Sequence, residues 1–256
     1  MLFDSIERNS KPGMKRKMLR KFLNEYYQGR DYYPAMRLIL PALDKERNSY
    51  GMKQQMLAKC LVDALGVAKD SPDALKLVGW RDGGKKNGKN TGNFVLVAVE
   101  VLTRRQSETS FGLTLEDANH LLDRLAAAEK QENIMVMREM INKTSWKEMK
   151  WMLSIILKDL HLGLGEKAVF ADFHPDAEHL YNMTMDLKGV CEKLHDRSKR
   201  LERQVGQSPA PNLWKGYLPL RSKRLERQDL TIGAVARPQL ASRIPNVEQA
   251  WKKVRE

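Results

Sequence analysis

Hydrophobic residues recur at helical spacing along most of the chain and predict a series of amphipathic helices. Between residues 146 and 160, apolar side chains come three or four positions apart, which places them on one helix face. No alternating pattern typical of a strand appears before residue 230. The pattern therefore predicts an all-α fold, with similar apolar stripes over residues 14–27, 35–40, 54–65, 73–78, 115–125, 132–141, 146–160 and 177–194.

Residues 94–102 fit two interpretations. Four of these nine residues are Val, which is β-branched and favours a strand. The length of the run favours a buried helix. Helix starts are better marked: Ser71-Pro72 predicts an N-cap followed by proline in the first turn, and Ser145 with Glu148 has the sequence of a capping box. Thr114 with Asp117 resembles such a box less closely, because it ends in Asp rather than Glu.

Two junctions place glycine and lysine where a helix is about to begin. One is Gly163-Leu164-Gly165 followed by Lys167, and the other is Gly51 with Lys53 before the run 54–65. A helix start binds phosphate, because its first four N–H groups have no partner within the helix and the helix dipole is positive at that end. The alternative interpretation is that either junction is an ordinary turn.

Composition narrows the class of protein and its partner. The 256 residues carry a net charge of +13 with a pI of about 9.7, which predicts a polyanionic partner. There is no run of 18 apolar residues, and the first residues lack the layout of a secretory signal. The two cysteines, Cys60 and Cys191, form no CxxC motif, which favours a reducing compartment, the cytosol or the nucleus.

An eight-residue string occurs twice near the C-terminal quarter of the sequence. RSKRLERQ fills residues 197–204 and again 221–228, and the segment 197–228 holds nine Lys/Arg and two Glu, so it carries +7 of the net charge. We interpret residues 205–228 as an insertion that arose by local duplication or retention of non-coding sequence. Its Gly, Ser and Pro content predicts a disordered loop, whose charge would add non-specific affinity for nucleic acid.

Longer strings resemble a known family. YYPAMRLILPALDKERNSYGMKQQMLAKCLVDALG (residues 32–66), GNFVLVAVE (92–100) and LSIILKDLHLGLGEKAVFADFHPDA (153–177) come in the order and at the spacing of the N-terminal DNA-binding domain of eukaryotic ATP-dependent DNA ligases, in particular the end-joining ligase IV. The resemblance covers roughly residues 2–195 and resumes at 230. It implies a helical DNA-binding domain at 1–195, a basic and disordered linker or insertion at 196–229, and the start of a nucleotidyltransferase (adenylation) domain at 230–256.

The catalytic motif of that family is missing from these 256 residues. DNA ligases transfer AMP from ATP, with Mg²⁺, to the lysine of a Lys-x-Asp-Gly motif, and no such string occurs here. Arg237-Pro-Gln-Leu-Ala241 resembles the family string KPMLA, which precedes the catalytic lysine, but has Gln where Met is usual. We therefore expect no catalytic residue, no ATP and no activity in this chain alone. The five histidines lack HExxH spacing, so we expect no metal site either.

The resemblance also implies a nuclear protein that lies against the backbone of nicked duplex DNA in double-strand break repair by non-homologous end joining. Contacts to phosphate position a protein without reading sequence, so we expect sequence-tolerant, salt-sensitive binding. Two further lysines are weaker candidates: Lys143, which lies at a third helix start, and Lys158. The predicted DNA-binding set is Gly51, Lys53, Lys143, Lys158, Gly163, Leu164, Gly165 and Lys167.

A second hypothesis is a protein-docking module. The resemblance to ligase IV implies that the first helices are a docking site for the Artemis nuclease. In this chain they would form an apolar groove that binds a helix of the partner. The alternative is that these side chains pack on their own core. We expect the isolated chain to be a monomer that binds no membrane. The predicted docking residues are Leu2, Phe3, Ile6, Phe22, Leu23 and Tyr26.

Overall fold

The computed structural model describes residues 2–27, 31–47, 50–81, 90, 92–106, 112–198, 200 and 201. All regular secondary structure in these ranges is helical, which confirms the predicted all-α class. The predicted insertion and the predicted start of a nucleotidyltransferase domain lie outside the described residues. The helices are α1 (Leu2–Glu7), α2 (Pro12–Lys21), a π-helical turn (Phe22–Tyr26), α3 (Tyr33–Ile39), α4 (Gln54–Leu65), α5 (Pro72–Val78), α6 (Phe94–Leu102), α7 (Leu115–Ala127), α8 (Lys130–Lys143), α9 (Trp146–Ile156), α10 (Glu166–Phe173), α11 (Ala177–Thr184) and α12 (Leu187–Lys193).

The middle of the chain forms one packed group, α4 to α9, which we call the first lobe. α4 packs on α8, and α6 packs on α9. Their facing residues are fully buried, among them Leu61, Val97, Leu122 and Leu153. The burial explains why 94–102 is a helix despite its four valines: its apolar residues fill the space between α5 and α9, so packing outweighs β-propensity.

The two ends of the described chain form the second lobe, which comprises α2, the π turn, α3, α10, α11 and α12. α10 packs on α2 and α12 on α3, so residues far apart in sequence share one core. Phe173 is fully buried and its ring meets Tyr32 edge-on at 5.3 Å, an arrangement that aromatic rings favour. The second lobe therefore needs both segments in order to form.

A network of charged side chains joins the lobes. Arg37 of α3 donates to Asp44 at 2.8 Å and to Asp123 of α7 at 2.8 and 3.3 Å. Arg47 donates to the same Asp123 at 2.7 Å and to the carbonyl and side chain of Asn119 at 3.0 and 2.7 Å. Both arginines are at least nine-tenths buried, so these bonds replace the water that a guanidinium would otherwise keep.

Helix starts follow their sequence signals closely. Ser71 caps α5, and the side chains of Thr114 and Ser145 each accept an N–H bond at the start of α7 and α9. In turn, the carboxylates of Asp117 and Glu148 accept from the backbone N–H groups of Thr114 and Ser145, so both capping boxes are complete. The shorter Asp side chain reaches as well as Glu does.

Helix ends departed from the sequence patterns in two places. α9 ends at Ile156 rather than at 160, because Lys158 takes a left-handed backbone conformation with φ +57°. The single helix predicted over 177–194 is two helices, broken at Met185, where φ is +53°. Neither residue is glycine, and the apolar periodicity continues through both breaks, so periodicity alone predicted longer helices.

Candidate nucleic-acid interface

The start of α10 has no side-chain cap. Gly165 is the N-cap with φ −73°, and Gly163 two residues earlier has φ +66°. The first four N–H groups of this helix are those of residues 165–168, and that of Ala168 already donates to the Gly165 carbonyl at 3.0 Å. Of the three predicted donors Gly165 is in this set, and Gly163 and Leu164 lie in the turn that leads to it.

Charge at this start is mixed. Lys167 is exposed over 83% of its side chain, and its ammonium lies 3.6 Å from the carboxylate of Glu178. Glu166, the first residue of the helix, carries a negative charge. This charge interacts favourably with the helix dipole but repels an incoming phosphate. A second cation comes from a residue that the sequence patterns did not single out, Lys15 of α2, whose Nζ donates to the carbonyl of Leu162 at 2.6 Å. The two lysines therefore offset the two carboxylates.

The start of α4 has the same layout without an acidic residue. Lys53 is the N-cap with an extended backbone, its side chain makes no capping bond, and Gly51 has φ +63°. The first turn carries no Asp or Glu, and both Gly51 and Lys53 are exposed. The dipole of α4 therefore faces solvent with a lysine beside it, which suits an anion.

These two starts belong to different lobes. α10 is part of the second lobe and α4 of the first, and the segment 40–53 that leads into α4 includes Asp44 and Arg47 of the buried network. The network thus ties the approach to α4 to the lobe that carries α10. The two candidate helix starts are thus linked through the buried network.

The weaker candidate Lys143 lies two residues before Ser145, the N-cap of α9. Lys143 is the last residue of α8, and its ammonium pairs with Glu139 at 2.8 Å. Lys158 lies in the turn after α9 and is half-buried; burial lowers the pKa of its ammonium, and the charge of Asp44 opposes that effect. Lys158 lines a cavity of about 260 Å³ between α1, residues 39–42 and the turn 158–164.

The predicted docking residues fall into two separate groups. Leu2, Phe3 and Ile6 line that same cavity, where Phe3 packs on Trp151 with ring centroids 5.2 Å apart. Leu23 is fully buried in the second lobe with Phe22 packed beside it, and the side chain of Tyr26 lies outside the described part. Phe3 and Phe22 are half-buried rather than exposed.

Comparison with known sequences identifies the family of this chain. The sequence matches the family described as DNA ligase N terminus over residues 1–174. The chain belongs to that family. It is 49% identical to DNA ligase 4 of Arabidopsis thaliana over 99% of this chain, and 46% identical to the putative DNA ligase 4 of Oryza sativa subsp. japonica, also over 99%. Human DNA ligase 4 is 40% identical over 65% of the chain.

The ligase resemblance is thereby confirmed for fold and family. The chain spans about a fifth of the length of these relatives: 19%, 18% and 19% in turn. Among the described residues, no helix of this ligase-family chain is long and apolar enough to cross a membrane, and no cluster of three or more His, Cys, Asp or Glu has the arrangement of a metal site.

Proposed function

We propose that this chain is the DNA-binding part of an ATP-dependent DNA ligase that acts in the nucleus, in double-strand break repair by non-homologous end joining. The observation that carries the proposal is the pair of uncapped helix starts, α4 and α10, each preceded by a left-handed glycine and each on a different lobe. Membership of the ligase N-terminal family and the net charge of +13 support the same partner, duplex DNA.

In this proposal the two starts bind the phosphate backbone on either side of a nick. The N–H groups of Gly165 and Lys167 and of the first turn of α4 donate to phosphate oxygens, and Lys53 and Lys167 supply charge. Contacts of this kind position the protein on the duplex and leave base sequence unread. Binding would therefore tolerate any sequence and weaken steeply with salt.

In this proposal, the transfer of AMP belongs to another part of the full-length ligase. ATP and Mg²⁺ would be its cofactors, but the sequence of this chain has no Lys-x-Asp-Gly lysine to accept AMP. The residues present therefore do not fit the adenylation site, and no step of ligation is derived for them. Their role is to hold the duplex.

The direct test is fluorescence anisotropy with nicked duplex across a salt series. It would compare the whole chain with a version lacking residues 205–228 and with Lys167→Glu, and use Lys69→Glu as a matched control, because Lys69 is an exposed lysine beyond the far end of α4. We expect both chain lengths to bind with similar, steep salt slopes and Lys167→Glu to weaken binding to every duplex sequence alike.

Two results would overturn the proposal. Loss of all binding on deletion of 205–228 would assign the affinity to the basic segment rather than to the helical lobes. Equal binding by Lys167→Glu and Lys69→Glu would remove α10 from the interface.

A second candidate function, docking of an Artemis-like nuclease, is favoured by one observation: the cavity at α1 is lined by Leu2, Phe3 and Ile6 and can accept an apolar side chain. Calorimetry with such a nuclease and with Leu2→Asp would test it. Because Leu2 is only half-buried, the variant is expected to fold and to lose the nuclease but not DNA. Unchanged nuclease binding by Leu2→Asp would reject this candidate.

A further inference from the structure

The helix α2 is unusually basic for one that is packed against a neighbour. Its ten residues, PGMKRKMLRK, include five Lys or Arg and no acidic residue. It packs on α10, so its cations lie beside the helix whose start is the candidate phosphate site. A basic helix face is often just a solvated surface, and what distinguishes this one is how its cations are held.

Three of the α2 cations are held by acceptors in α10 and in the turn before it. Arg16 donates two hydrogen bonds, of 2.9 and 2.7 Å, to the Asp172 carboxylate. Nε of Arg20 lies 3.7 Å from the same carboxylate. The Asp172 side chain is only 2% exposed, whereas Arg16 and Arg20 are 41% and 54% exposed. Lys15 is anchored on the Leu162 carbonyl. The carboxylate is thus behind the arginines, and the surface presents guanidinium groups.

Two more arginines extend this row from the other end of the described chain. Arg197 donates to the carbonyls of Asp172 and Phe173 and to the side chain of Asn24. Arg200 lies 3.1 Å from the Asp176 carboxylate, which is 2% exposed, while Arg200 itself is 55% exposed. Both arginines belong to the first copy of the repeated octapeptide, so that copy begins on the second lobe.

We propose that Lys15, Arg16, Arg20, Arg197 and Arg200 form a strip that binds the phosphate backbone of duplex DNA, continuous with the start of α10. The inference rests on the proposed function and adds a surface to it. Five cations are backed by two buried carboxylates, so the strip keeps a positive balance. Each guanidinium has five N–H donors and gives its acidic partner only some of them.

Anchoring also makes the strip suited to this role. A free lysine or arginine loses side-chain entropy when a phosphate immobilises it. Here the bonds to Asp172, Asp176 and the backbone have already fixed the side chains, so binding orders them little further. Continuity with the α10 start follows from Lys15, which is adjacent to Arg16 on α2 and whose Nζ lies 2.8 Å from where a Cβ on Gly163 would be.

The test measures binding of the whole chain to nicked duplex by anisotropy across a salt series, for Arg20→Gln, Arg200→Gln and both together, with Lys69→Gln as the control for loss of one exposed charge. These positions are chosen because Asp172 keeps its two bonds to Arg16, and Asp176 keeps its bond from the Leu201 N–H at 3.1 Å. Folding is checked by the thermal midpoint, which we expect to change little.

Each arginine removed should lower the steepness of the salt slope by about 0.9, which corresponds to roughly eightfold in affinity over a tenfold range of salt, and the double variant should lose about twice that slope. Arg20→Lys should restore most of the slope, since it keeps the charge. If the arginine variants match Lys69→Gln while Lys167→Glu still weakens binding, the strip is structural only and the proposed function survives. If the unmodified chain does not bind nicked duplex, both proposals fail.

Discussion

The Nε atom of Arg47 lies 2.7 Å from the carboxylate of Asp123, and this pair stands at the junction of the two lobes. Asp123 also accepts from Arg37 of the second lobe, so one carboxylate holds two nearly buried guanidinium groups. The loop that contains Arg47 continues into the start of α4. The geometry of the candidate interface therefore depends on a contact made well away from it.

Removing the charge of Asp123 should destabilise the fold. In Asp123→Asn, Arg47 would keep Asp44 at 3.8 Å as its nearest carboxylate, and a buried charge that loses its partner costs several kcal/mol. Because the Asp123 side chain is about half exposed, we expect a smaller loss, about 2 kcal/mol in the free energy of unfolding measured with urea. Glu25→Gln is the control, because Glu25 and its partner Lys21 are both more than half exposed, and an exposed ion pair contributes only about 0–1 kcal/mol. Equal losses in the two variants would contradict the role given to Asp123.

The same carboxylate predicts a dependence of stability on pH. Burial raises the pKa of Asp123, but the hydrogen bonds and charges of Arg47 and Arg37 outweigh burial and lower it. A carboxylate whose pKa is lower in the folded state stabilises the fold above its unfolded pKa of about 3.9, and that contribution is lost as the pH falls further, through the folded pKa. We expect stability to fall below about pH 4.

The control for this pH effect is the same Asn variant. Asp123→Asn should show a shallower decline of the urea midpoint between roughly pH 4 and pH 2.5, because one titrating group has been removed. An unchanged pH profile would mean that other carboxylates carry the acid sensitivity.

Local features of the fold could be read from the sequence, and the contacts between lobes could not. The bounds of α4 and α5 and the caps at Ser71 and Ser145 follow from apolar spacing and N-cap chemistry within a few residues. By contrast, Asp123 is 86 residues from Arg37 and 76 from Arg47, and no local pattern links them. The anchored cations were missed for the same reason, because Lys15 and Leu162 are 147 residues apart.

The Gly163 turn offers a test of how tightly the α10 start is built. Gly163→Ala would force alanine into a left-handed conformation at φ +66° and place its Cβ 2.8 Å from Nζ of Lys15. The backbone strain alone should cost about 1 kcal/mol of stability. The lysine tip can move, but in doing so it leaves the Leu162 carbonyl. We therefore expect weaker binding of nicked duplex, with a salt slope shallower by about 0.9 where one phosphate contact is lost.

Gly66→Ala is the matched control for that variant. Gly66 ends α4 with nearly the same φ, +65°, and its Cβ would meet nothing within 4 Å. Both substitutions should lower stability similarly, measured by urea unfolding, while only Gly163→Ala should weaken DNA binding in the anisotropy assay. Parallel losses of affinity in the two variants would point to general destabilisation and away from the α10 start.

The two cysteines should act as reporters of unfolding rather than as reactive sites. Burial, with a smaller effect of the Asp63 charge, raises the pKa of Cys60 to about 11, and burial chiefly raises the pKa of Cys191 as well. At pH 8 roughly a thousandth of Cys60 would be thiolate, the form that attacks disulfide reagents. We expect negligible reaction of the folded chain with such a reagent, and release of two equivalents once urea unfolds it, since the sequence has only these two thiols. One thiol that reacts within the mixing time under native conditions would show that its lobe opens, and mass spectrometry of the labelled peptides would identify which lobe, because Cys60 belongs to the first and Cys191 to the second.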